Sequence, residues 1–81
     1  MSRARDVVEH IAKALADRPA EVRVIEAEHR GQVVVELFMA EGELGRVIGR
    51  QGRTAAAIRL LASIAAEHEG RRVSVEFRDS A

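Results

Sequence analysis

The apolar positions of this 81-residue chain change their period along its length, and each period predicts an element. Val7, Val8, Ile11 and Leu15 recur at helical spacing behind Ser2, a residue suited to cap a first helix. Asp17-Arg18-Pro19 stops that helix, because the residue before proline is pushed out of the helical region. Val22 to His29 reads as a strand with Val22 and Val24 on one face; Ile25 and Ala27 interrupt the alternation, which predicts a bulge or a twist there. Arg30-Gly31 supplies a turn. Gln32 to Met39 alternates without a break, with Val33, Val35, Leu37 and Met39 inward and Val34, Glu36 and Phe38 outward. That is the pattern of a central strand.

The second half continues with a short helix from Glu43 to Ile48, in which Leu44, Val47 and Ile48 share one side. Gly49 to Gly52 breaks it. A long helix resumes from Arg53 to about Glu67, with Ala57, Leu61, Ile64, Ala65 and His68 along its expected core stripe and Ile58 beside it. Gly70 ends that helix well. Arg72 to Phe77 then alternates, Val73, Val75 and Phe77 inward, and residues 78–81 are expected to fray. The order helix, strand, strand, helix, helix, strand predicts an α+β domain, a three-stranded sheet covered on one face by helices. The length allows one domain, residues 1–81, with an ordered core of about residues 3–77.

Charge sharpens this picture. The chain has 13 basic and 13 acidic residues and no net charge, so it does not coat a polyanion by bulk charge. The distribution is uneven. Residues 45–66 carry Arg46, Arg50, Arg53 and Arg59 and no acid, whereas residues 21–44 carry six acids against two Arg. Glu26, Glu28, Glu36, Glu41 and Glu43 are expected to form a solvated face. All the basic residues except Lys13 are Arg, whose planar fork suits phosphates and base edges. With no Cys, disulfides, thiolate metal sites and Cys nucleophiles are excluded, and His10, His29 and His68 lack metal-ligand spacing. No apolar run reaches the length of a bilayer span and no signal-peptide core follows the N-terminus, so the expected location is the cytoplasm.

The positive window is also the glycine-rich one: Gly45-Arg46-Val47-Ile48-Gly49-Arg50-Gln51-Gly52-Arg53-Thr54. A Walker A loop or a dinucleotide fingerprint ending here needs glycine at position 47, which is Val47, so nucleotide hydrolysis and NAD binding are disfavoured. What remains is a Val-Ile-Gly-x-x-Gly turn between two helices. Its glycines permit a tight bend and let a sugar-phosphate chain lie against the backbone. The amides and positive dipole end of the second helix point at whatever fills the turn. Arg50 projects from the turn, and Arg46 and Arg53 flank it. The segment offers no general base, nucleophile or metal ligand, so no enzyme and no cofactor are expected.

On these residues the chain resembles a type II KH domain. Val47-Ile48-Gly49-Arg50-Gln51-Gly52 matches the GxxG loop and its preceding aliphatic pair, and Ile58 stands at the family's spacing on the next helix. Length and wording are similar to the small single-KH RNA-binding proteins of bacteria, the KhpA group. The resemblance implies that strand Gln32–Met39 runs parallel to strand Arg72–Phe77 beside a groove for about four nucleotides. Gly49, Arg50, Gln51 and Gly52 would clamp the backbone, Arg46 and Arg53 would flank it, and Ile48 and Ile58 would floor the groove. The last strand and the Glu69-Gly70-Arg71 connection would form the opposite wall; Ala55 and Ala56 stand where many KH domains carry isoleucine and a basic residue, which implies a shallower groove. The implied ligand is single-stranded RNA and the implied role an RNA chaperone or post-transcriptional regulator. The implied partner is a second copy or another KH-containing protein of the KhpB or Jag type.

Absence of Trp and Tyr rules out a reader built on aromatic platforms. If the Arg side chains around the turn neutralise about two or three phosphates, raising salt from about 50 to 200 mM weakens binding on the order of tenfold. Several readings stay open. Arg71 and Arg72 extend the RNA track or pair with nearby Glu. Val34 and Phe38 form a dimer interface or are scattered surface residues. The turn itself is a working clamp, a relic in a protein-interaction module, or a grip on single-stranded DNA.

Overall fold

The computed structural model describes residues 1–79. Its elements are α1 (Arg3–Leu15), β1 (Arg23–His29), β2 (Gln32–Met39), α2 (Leu44–Ile48), α3 (Arg53–Glu67) and β3 (Arg72–Asp79). Ser2 caps α1 as expected: its Oγ accepts from the Arg5 N–H at 3.1 Å. Pro19–Glu21 forms a 3-10 turn that leads into β1. The hairpin closes through Arg30 and Gly31, at φ 53° and 79°, the positive pair that a two-residue type I′ turn requires.

The sheet order is β1-β2-β3, with β1 antiparallel and β3 parallel to β2. This is the α+β, αββααβ arrangement of a type II KH fold. The inward side chains of β2, Val33, Val35, Leu37 and Met39, are buried against the helices together with Val8, Val47 and Ile58.

Four expectations need correction. No bulge interrupts β1: the pairing runs in register from Arg23↔Phe38 to His29↔Gln32. Ile25 and Ala27 lie on the exposed outer face, and the inner-face position between them is Glu26, whose carboxylate accepts from the Ser2 hydroxyl and amide. The chain end is not frayed through Arg78 and Asp79, which belong to β3. Arg78 is held by Glu36 at 2.8 Å and by Glu76 at 2.6 Å. The expected fraying at Ser80 and Ala81 lies outside the described residues.

The third correction concerns the helices. Their seam is alanine: Ala4, Val8 and Ala12 on α1 and Ala55, Ile58, Ala62 and Ala66 on α3 are buried. Leu61 and Ile64, expected inside, are 46% and 43% exposed, and Leu15 sits at the rim. Helix separation depends on the side chains at the contact. Alanines let the two helices approach closely, and the larger side chains are displaced to the outside. The fourth is Glu43, which is buried rather than part of a solvated face.

Candidate nucleic-acid interface

Helix α2 has only five residues, too few to be stable without outside support. The residue before it supplies that support. Glu43 is 5% exposed and accepts three hydrogen bonds: from Asp17 N at 2.8 Å, Arg18 N at 3.3 Å and Arg18 Nε at 2.7 Å. The Arg18 side chain is the main reason its carboxyl titrates below the usual range; burial opposes the shift, and the two backbone amides add to it. Arg46, one turn along α2, forms an ion pair with Asp17. The start of α2 is thus tied on both sides to the segment that follows α1.

The far end of α2 runs into the glycine turn. Gly49 adopts φ 74°, ψ 174°, Gln51 φ 57°, ψ 24° and Gly52 φ 73°, ψ 14°. The two glycines are required for different reasons. A Cβ on Gly49 would stand 2.2 Å from Thr54 Oγ1, far inside contact distance, whereas one on Gly52 would meet nothing within 4 Å. The first glycine lets the turn fold onto the start of α3; the second only supplies a left-handed backbone. Gln51 adopts that conformation without being glycine, at a cost of about 1–2 kcal/mol. Its side-chain oxygen accepts from Arg53 Nη2 at 3.0 Å.

The amides differ from expectation. Gly52 N–H bonds the Gly49 carbonyl at 3.2 Å and Arg53 N–H bonds the Arg50 carbonyl, so these two close the turn and do not face a ligand. No side chain caps α3, so the helix start keeps its positive end uncompensated.

The site residues separate into three groups. Arg50 is exposed and has no hydrogen-bond or ion-pair partner among the described residues. Arg46 and Arg53 are engaged, with Asp17 and Gln51 respectively. Ile48 is half-buried beside the turn, but Ile58 is 1% exposed and sits in the core, so it props α3 from beneath and offers no floor to a base. Arg71 pairs with Glu28 at 3.1 Å, the second of the two readings left open for it. Arg72 lines a cavity between α3 and β3 with Gln32, Ser63, Glu67 and Val73.

A contact between two residues absent from the expected site also lies here. Arg59, exposed on α3, places its Cζ 4.8 Å from the centroid of the Phe77 ring and donates Nε–H to the Val75 carbonyl at 3.3 Å. The sequence signal was partial. Arg59 lies in the acid-free window and Phe77 on the inward face of its strand, but only the docking of α3 on β3 brings them together. Among the described residues no three His, Cys, Asp or Glu side chains cluster as a metal site, and no helix is long and apolar enough to cross a membrane.

Comparison with known proteins agrees with this architecture. The family model described as "KhpA/KhpB, KH domain" matches residues 5–77. A protein of Halalkalibacterium halodurans named RNA-binding protein KhpA is 43% identical over 75 residues, covering 93% of this chain and 99% of that one. Its namesake in Aquifex aeolicus is 45% identical over 77 residues, covering 95% and 98%. Among solved structures, Era in complex with MgGDPNP and nucleotides 1506–1542 of 16S ribosomal RNA superposes with a TM-score of 0.63 at 22% identity. That match covers 94% of this chain but only 29% of the Era chain, and it speaks to the fold alone. With the GxxG turn, the αββααβ order and near-complete coverage in agreement, the chain belongs to the KhpA/KhpB KH-domain family.

Proposed function

We propose that this protein is a non-enzymatic binder of single-stranded RNA, acting as a bacterial RNA chaperone or post-transcriptional regulator in the cytoplasm, and that the Gly49–Gly52 turn is its clamp. The observation that carries the proposal is the turn itself. It holds an exposed Arg50 with no acidic partner among the described residues, against an uncapped helix start, in a window without acids. Relatives named RNA-binding protein KhpA support the ligand class. Arg50 meets a phosphate, Gly52 leaves space above the backbone, and Arg46 and Arg53, which flank the turn in sequence, exchange their internal partners for phosphate oxygens.

One such module has few contacts and binds weakly, so the proposal includes a second KH-containing chain, a second copy or a KhpB-type protein. Leu60, Leu61 and Ile64, which α3 leaves exposed, are the apolar surface that partner would cover.

The test is the double substitution Arg50→Asp, Gln51→Asp, with binding of a labelled single-stranded RNA followed by fluorescence anisotropy. Loss of binding with an unchanged helical circular dichroism spectrum is the expected outcome. Unchanged affinity overturns the clamp, and preferential competition by the matched DNA strand overturns the choice of RNA.

A further inference from the structure

The groove between α3 and β3 holds a feature that the loop does not explain. Arg59 lies over the ring of Phe77 and is pinned there through its Nε–H to Val75, so one side of the guanidinium is covered. The residue is nevertheless exposed and has no carboxylate partner among the described residues. With Nε engaged, the Nη groups and the second face of a flat cation remain available. The neighbours keep it open. Residues 52, 56, 59 and 63 fall on one stripe of α3, and the positions on either side of Arg59 in that stripe are Ala56 and Ser63, both small and exposed. The stripe begins at the glycine turn, about 10 Å along the helix axis from Arg59, and ends at the cavity lined by Ser63, Glu67 and Arg72.

We propose that the Arg59–Phe77 stack is a nucleobase platform: a base of the strand clamped at Gly49–Gly52 lies flat on the guanidinium, and the Nη groups reach its edge or the adjacent phosphate. This rests on the single-strand reading above. Guanidinium planes stack on bases as aromatic rings do, and a ring beneath the cation holds it in the required orientation. The chain has no Trp or Tyr, so an Arg laid on a Phe supplies the flat surface its composition otherwise lacks. Lys at this position would keep the charge and lose the plane. A second Arg–Phe stack provides an internal control. Arg23 lies over Phe38 at 5.1 Å, but on the outer face of the sheet, away from the turn.

The experiment uses the full chain and a short fluorescein-labelled RNA of mixed sequence, together with versions in which each nucleotide in turn is abasic. Arg59→Lys and Arg59→Ala are expected to weaken binding to a similar degree, about tenfold, with Arg23→Lys unchanged. One abasic position should weaken the wild type about tenfold and leave the Arg59 variants nearly unaffected, because its base has lost its platform. Phe77→Leu, which removes the ring but keeps the cation, should fall between; thermal melts of all variants separate this from unfolding. Wild-type affinity in Arg59→Lys, or an abasic penalty that persists undiminished in the Arg59 variants, overturns the platform. If those variants bind normally while the Arg50, Gln51 double variant does not, the platform fails and the clamp stands. If the wild type binds no single strand, both fall.

Discussion

The two ends of α2 solve opposite problems within five residues. At its start, a buried carboxylate is fully satisfied: Glu43 collects donors from Asp17 and Arg18, and Arg46 closes the junction on Asp17. At its end, the chain turns through three left-handed residues and presents Arg50 with no partner among the described residues. Buried polar groups must be paired, and an unpaired one is costly. The closed end therefore holds the short helix in place, which allows the other end to stay open without collapsing onto the domain. The same type of residue plays both parts. Arg18 is structural because an acid faces it, and Arg50 is available because none does.

Breaking the open end should have the largest effect. Gly49→Ala drives a Cβ into Thr54 and needs a left-handed alanine, so the turn has to move away from α3. It should lower stability by about 1–3 kcal/mol and abolish detectable RNA binding, measured by thermal melting and anisotropy. Binding at wild-type strength would mean that the turn's shape is irrelevant to the ligand.

Breaking the closed end should be milder and dependent on pH. The Glu43 carboxyl is held below its usual range chiefly by Arg18, and that of Glu26 chiefly by the Ser2 hydroxyl. A depressed folded value stabilises the native state above the unfolded value of about 4.3 and loses that contribution as pH falls through the folded one. Melting temperature should therefore drop as pH is lowered below about 4. Glu43→Gln should melt lower than the wild type at neutral pH, and the gap should narrow in acid, where Glu43 is protonated as well. A gap that stays constant down to the acid limit would show that the carboxylate charge is not what holds α2.

The smallest effect sharpens the contrast between the two glycines. Gly52→Ala meets no atom and suffers only from its positive φ, a cost of about 1 kcal/mol. Gly52→Asn, which tolerates that region better, should cost less. A loss of RNA affinity greater than the loss of stability in either variant would place the ligand directly above Gly52.

Much of the fold was legible because it depends on short-range signals. The Ser2 cap, the Arg30-Gly31 turn, the alternation of β2 and the glycine interruption of two helices each lie within a few residues. The site was legible as a loop but less so as a set of contacts. The KH resemblance implies Ile58 as a groove floor, but its place on α3 suits a core position equally, and burial decides for the core. That Arg46 pairs with Asp17, and that Arg71 pairs with Glu28 instead of extending an RNA track, depends on partners in distant parts of the sequence.

The chain's own sequence determined the order of elements, the place of the hairpin turn, the position of the glycine break and the acid-free window around it, since propensity, periodicity and local charge are properties of neighbouring residues. Only tertiary structure decided which face of α3 turns inward, because periodicity says which residues share a face and not whether small or large ones form the seam. It also decided which charges are neutralised and that Arg59 rests on Phe77, because both depend on elements far apart in the chain packing at contact distance.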